Sequence, residues 1–160
     1  MNKRIILVGP TCSGKTFLRK KLEDRGFKFD VSYTTREPRE GEQNDMHYHF
    51  ITEDDFAKAV KEGAFYEHVS YNGNQYGTGM YEWNNCPCFI METDGIKHIK
   101  SEDRESCFII FLNPDEHVRW RRMSEERNWD GETISNRLQT DREKFKNFAD
   151  YDLLITNSNF

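Results

Sequence analysis

Gly9-Pro10-Thr11-Cys12-Ser13-Gly14-Lys15-Thr16 fits G-x-x-x-x-G-K-[ST], a phosphate-binding loop, and no other stretch constrains the fold as much. Such a loop works between a strand and a helix. Ile5-Ile6-Leu7-Val8 is a short apolar run of the kind a buried strand requires. Phe17 to Arg25 alternates apolar and basic residues at helical spacing, and Gly26 can end that helix. Gly9 and Gly14 let the backbone turn tightly against phosphate oxygens. The loop N–H groups and the helix N-terminus then point at negative charge. Lys15 is a mobile cation that can follow a phosphoryl group, and Thr16 offers a hydroxyl to Mg²⁺.

A chain of 160 residues, 36% hydrophobic and 32% charged, builds one domain with a real core. The net charge of −5 argues against a nucleic-acid partner that needs a broad basic face, yet a local arginine cluster can still hold phosphates. No apolar run reaches membrane-spanning length, and Met1-Asn2-Lys3-Arg4 leads into a strand, so the expectation is a cytoplasmic protein away from membranes. Cys12, Cys86, Cys88 and Cys107 lack metal or redox spacing and read as reduced thiols, with Cys88 and Cys107 buried in strands.

Further strands are expected over 27–32, 46–51, 64–71, 74–76, 88–92, 106–112 and 151–156, and Asn72-Gly73 is a strong hairpin turn. Residues 33–45 read as a polar loop. Helices are expected from the Thr52 cap to about Glu62, from about 93 to 100, from Pro114 to Arg127, and from Glu132 to Asn147. Strands alternating with helices imply an α/β fold: a parallel sheet covered on both faces. The block from Ser32 to Tyr81 stands apart as a small β-rich insertion.

That insertion carries the material for a second site. Arg36 and Arg39, three apart, can grip one phosphate from two sides, and Tyr48 and Tyr76 can add phenolic donors. Glu67 lies between Phe65 and Val69 in an apolar strand and therefore needs a partner. A guanine edge, with N1–H and N2–H₂, would satisfy it, whereas adenine would not. Ser32 and Thr78 offer hydroxyls to the rest of the base.

The loop Gly9–Thr16, the run Ser32-Tyr33-Thr34-Thr35-Arg36-Glu37-Pro38-Arg39-Glu40-Gly41-Glu42, Tyr48, Phe65-Tyr66-Glu67, Tyr76-Gly77-Thr78 and the closing Asp150–Asn157 occur in the order of one known family. On these residues the chain resembles a guanylate kinase. The resemblance implies a P-loop nucleoside-monophosphate-kinase core over residues 1–31, 82–118 and 138–160, a GMP-binding lobe over 32–81 and a helical lid over 119–137, all in one domain. It implies that Arg36, Arg39, Tyr48 and Tyr76 hold the GMP phosphate, and that Ser32, Glu67, Thr78 and Glu92 serve the base. Gly9, Pro10, Thr11, Cys12, Ser13, Gly14, Lys15 and Thr16 would hold the ATP phosphates, with Asn157 beside the ATP base. Arg137 would bridge the two phosphates, and Lys15, Arg39 and Arg137 form the implied catalytic set. Arg119, Arg122 and Arg127 are candidates for closing the lid on ATP, with Arg122 and Arg127 taken as the ATP contacts.

Mg²⁺ would sit on Thr16, with Glu92 supporting it through water. Glu92 falls on the second acid of the family's D-x-D-x-x-G, and Ile90 on the first. The family usually continues past the position of Phe160 with a closing helix, so a more open adenine pocket is expected. The implied reaction is ATP + GMP giving ADP + GDP, with dGMP not separable from GMP, in a monomer or weak homodimer. The alternative is a catalytically weakened guanylate-kinase-like module that binds a nucleotide or a protein.

Overall fold

The computed structural model describes residues 3–157. The chain runs β1 (Arg4–Val8), α1 (Lys15–Glu23), β2 (Tyr33–Thr34), β3 (His49–Phe50), α2 (Glu53–Lys61), β4 (Phe65–Tyr71), β5 (Asn74–Gly79) and α3 (Met80–Asn85). It continues through β6 (Cys88–Ile90), α4 (Thr93–Lys97), α5 (Ser101–Arg104), β7 (Cys107–Leu112), α6 (Glu116–Arg127), α7 (Gly131–Phe145) and β8 (Leu153–Ile155).

Two four-stranded sheets result. The first has the order β6-β1-β7-β8 and is parallel at every pairing. Successive residues of β1 point to opposite faces. Ile6 and Val8 pack with Phe89, Ile96, Ile109 and Trp83, and Phe145 of α7 covers the same face. Leu7 faces the other way, with Phe29, Cys88 and Leu112 under Leu18 and Leu22 of α1. Ile6 and Leu7 are both fully buried, and each stabilises the sheet by roughly 1.5–3 kcal/mol. A third cluster, Met123, Ile134 and Leu138, joins α6 to α7 beside Cys12 of the loop.

The second sheet, order β3-β2-β5-β4, is drawn wholly from residues 33–79. Its longest pairing is the β4–β5 hairpin, where Tyr71 pairs with Asn74 across Asn72-Gly73 and both turn residues have positive φ. Thr52 caps α2 by accepting the Asp55 N–H at 3.1 Å. All four cysteines are free thiols, with Cys88 and Cys107 buried.

The structure corrects several expected elements. In place of a strand over 27–32 there is one isolated bridge, Phe29 to Cys88, because the chain leaves the sheet there to enter the lobe. Tyr33–Thr34, expected in a loop, pairs with Gly77 and Tyr76. The strand expected over 46–51 shrinks to His49–Phe50. The single helix expected over 93–100 is two, α4 and α5, parted at His98–Lys100. The helix expected from Pro114 begins at Glu116, where the Asp115 carboxylate caps it. The short helix α3 was not expected at all.

Candidate active site

The loop after β1 is built for close approach. A Cβ on Gly9 would collide with the Leu112 carbonyl and with Ser13 Oγ. Gly14 caps α1 at φ 105, a left-handed backbone that suits glycine. Among the described residues no side chain caps α1, and Gly14, Lys15 and Thr16 at its start line the cleft. Ser13 Oγ is buried and has no hydrogen-bond partner among the described residues. The Lys15 ammonium donates to the carbonyls of Gly9 and, at 3.0 Å, Pro10. Burial lowers its pKa, partly offset by Glu92 and Asp141.

Across the cleft, the threonines of the lobe fix Arg36. Thr34 Oγ1 donates to the Gln75 carbonyl at 2.9 Å and accepts the Arg36 N–H at 3.1 Å. Thr35 Oγ1 accepts the Gln75 N–H at 3.0 Å. The Arg36 guanidinium then makes a two-pronged pair with Glu42 at 2.9 and 3.0 Å and lies 5.4 Å over the Tyr48 ring. Arg39 has its pKa lowered, first by burial and then by the positive charges of Arg36 and Arg127. Like charges brought together in this way favour a bound anion. Burial, with Tyr76 nearby, pushes the Tyr48 phenol up to about 12, so it is a neutral donor at physiological pH.

Glu67 is 7% exposed and accepts the Thr78 hydroxyl at 2.6 Å. Burial raises its pKa. A Cβ at Gly95 would come within 2.8 Å of the other carboxylate oxygen, so only glycine leaves room for Glu67 in this position. Ser32 Oγ donates to buried Asp30 at 2.5 Å. Glu92 pairs with Lys144 at 2.7 Å.

These parts open into one cleft of about 710 Å³. Residues 9–16, Ser32, Arg36, Arg39, Tyr48, Glu67, Tyr76, Thr78, Glu92, Arg122, Arg127 and Arg137 all line it. Asn157 is exposed and lies outside that lining. Arg122 Nη1 donates to the Cys12 carbonyl at 3.0 Å, tying α6 to the loop. Arg119, expected as a lid candidate, is instead buried against Asp141 at 2.8 Å. Tyr71, Asp141, Lys144 and Asp30 were missed by sequence reasoning. Tyr71 alone left a signal: strand period two puts Glu67, Val69 and Tyr71 on one face of β4.

Comparison with known proteins gives the family and the fold. The family described as "Guanylate kinase" matches residues 1–160. The guanylate kinase of Homo sapiens is 33% identical over 165 aligned residues, covering 96% of this chain and 84% of that protein. The guanylate kinase of Campylobacter jejuni (strain RM1221) is 31% identical over 163 residues, covering 96% and 80%. The crystal structure of guanylate kinase from Anaplasma phagocytophilum has the same fold, with a TM-score of 0.76 at 24% identity over 99% of this chain and 78% of that one. With a phosphate loop and an arginine–tyrosine lobe facing each other across one cleft, and a match along its whole length, this chain belongs to the guanylate kinase family.

Proposed function

We propose that this chain transfers the γ-phosphoryl group of ATP to GMP, and likewise to dGMP, releasing ADP and GDP or dGDP. The observation that carries the reading is the shared cleft: phosphate loop on one wall, Arg36, Arg39, Tyr48, Tyr76 and Glu67 on the other. A module that only bound GMP would have no use for Lys15 and Arg137 in the same space. In this reading residues 1–31, 82–118 and 138–160 are the core, 32–81 the GMP lobe and 119–137 the lid.

Both substrates are anions, so the main task is to align phosphates and neutralise them away from water. The loop N–H groups, Lys15, Arg122 and Arg127 take the ATP phosphates. Arg36, Arg39, Tyr48 and Tyr76 take the GMP phosphate. Arg39 sits near Arg127 and Arg36, so an incoming phosphate relieves their mutual repulsion. Arg137 serves the seam between the two phosphates. Glu67 and Ser32 read guanine, with Thr78 holding the Glu67 carboxylate by its hydroxyl. No protein nucleophile is required, because a GMP phosphate oxygen attacks the γ-phosphorus and the bond to the ADP oxygen breaks. Asn157 is assigned to the adenine side.

The donor set fits Mg²⁺. The Thr16 hydroxyl and the Glu92 carboxylate are hard oxygen ligands on the cleft wall, and among the described residues no cluster of three His, Cys, Asp or Glu could cage a metal. That pattern suits an ion carried largely by substrate phosphates, which would supply charge neutralisation when bound. Lys144 pairs with Glu92 at 2.7 Å, and in this reading Glu92 supports the ion through water.

The reading includes a cytoplasmic enzyme, a monomer or weak homodimer, with no nucleic-acid partner. Among the described residues no helix is long and apolar enough to cross a membrane. The test is calorimetric GMP binding by Arg39→Ala beside ADP release by Lys15→Ala. Arg39→Ala is expected to weaken GMP at least tenfold. Lys15→Ala is expected to lower kcat by about 10²–10³ with GMP affinity kept. Unchanged GMP affinity in Arg39→Ala would overturn the assignment of the lobe.

A further inference from the structure

Tyr71 belongs to β4 of the lobe, but its hydroxyl meets a residue of α7. Arg137 Nη1 donates to it at 2.6 Å. The same guanidinium lies 5.5 Å from the Tyr71 ring centroid, and the Lys144 ammonium lies 3.8 Å from it. Arg137 and Lys144 are two helical turns apart, on one face of α7. These two of the α7 cations therefore rest on one lobe side chain, whereas Arg142 pairs with Glu116. Lys144 is fixed in turn by Glu92 at 2.7 Å.

The chemistry of the partner matters. Arg36 and Arg119 are each held by a carboxylate, Glu42 and Asp141. A carboxylate orients a guanidinium but cancels most of its field. A neutral phenol orients it and leaves its charge intact. Burial raises the Tyr71 pKa, so the phenol keeps its proton at neutral pH. An arginine that must stabilise charge developing between two phosphates needs just this kind of support: fixed direction and undiminished charge. The hydrogen bond also joins the lobe strand β4 to helix α7, so the guanidinium is fixed from the lobe side of the cleft.

We propose that Tyr71 is a positioning residue for phosphoryl transfer, its hydroxyl holding the Arg137 guanidinium at the seam between the phosphate loop and the lobe. This rests on the reading of Arg137 given above. Nothing in the mechanism requires Tyr71 to touch substrate; it acts through Arg137.

The experiment is a double-mutant cycle of ADP release at saturating ATP·Mg²⁺ and GMP, using the wild-type chain, Y71F, R137A and Y71F/R137A. Y71F keeps the ring and removes only the hydroxyl. It is expected to lower kcat about tenfold, with KM for GMP and ATP within about twofold of wild type, because a small misdirection of a catalytic group slows chemistry without loosening the ground state. In the R137A background the same change is expected to cost less than about twofold, since the group it positions is gone. Y71L, which removes ring and hydroxyl together, is the second variant, and the same dependence on Arg137 is expected of it.

An unchanged kcat in Y71F, a loss lying in KM, or an equal loss with and without Arg137 would overturn the proposal. A wild-type chain without GMP-dependent turnover would overturn the enzyme reading beneath it, and that control is read before any variant.

Discussion

Arg119 of α6 and Asp141 of α7 form an ion pair at 2.8 Å, with side chains only 6% and 1% exposed. Asp141 also accepts the Thr11 N–H at 3.0 Å and the Thr11 hydroxyl at 3.4 Å. One buried carboxylate therefore fastens two helices to the phosphate loop. Asp141→Ala would leave the buried Arg119 with only the more distant Glu116, at 3.9 Å, as a counter-charge, and breaking a buried pair typically costs about 3–5 kcal/mol. A urea unfolding curve of D141A is expected to show a loss of that order, with weaker ATP binding because Thr11 is no longer tethered. A midpoint near that of the wild type would show that the pair does not hold the loop.

Asp30 makes stability fall as pH rises. Burial drives its pKa up to about 7, with Glu67 and Glu82 adding to the shift, while the Ser32 hydroxyl and Arg19 oppose it. The folded carboxyl thus holds its proton more tightly than the unfolded one, which titrates near 3.9. Its contribution is complete below about pH 4 and is lost as pH rises toward 7, with a slope of at most ~1.4 kcal/mol per pH unit. Paired acids such as Glu42 and Asp94, whose pKa values are lowered, act in the opposite sense and only at acidic pH. Between pH 5 and 7, thermal unfolding of Asp30→Asn is expected to be flatter with pH than that of the wild type, and the Asn variant is expected to be the more stable of the two at pH 8. Parallel curves would place the Asp30 titration elsewhere.

Glu67→Gln tests base reading. The carboxylate can accept from both guanine donors, whereas the amide turns one of those positions into a donor. The ratio of kcat/KM for GMP over AMP is expected to drop by about 10² or more. Gln keeps the shape that Gly95 makes room for, so the fold should stand. An unchanged ratio would remove Glu67 from the readers of the base.

The parts legible in the sequence were those fixed locally. The phosphate loop and the Asn72-Gly73 turn need particular residues at particular dihedral angles, and both stand where they were expected. Strands β2 and β3 have two residues each and owe their existence to pairing with distant partners, so they left no pattern of their own. Helix α3 has no side-chain cap; it is held by buried Trp83, whose ring stacks on Tyr66 at 3.8 Å. In the site, Arg36, Arg39 and Glu67 could be named because they sit in a dense block or an anomalous strand. The bond from Tyr71 to Arg137 joins residues 66 apart, and the tie from Asp141 to Thr11 joins residues 130 apart. Neither is visible before the chain is folded. Arg119, by spacing, resembles its neighbours Arg122 and Arg127, and only burial separates the structural arginine from the two on the cleft wall.

The most direct measurement is steady-state ADP release from ATP·Mg²⁺ with GMP, dGMP, AMP, UMP or no acceptor. The account predicts turnover with GMP and dGMP, and little with AMP, UMP or water. Turnover that is equal for AMP and GMP, or that proceeds without an acceptor, would contradict it.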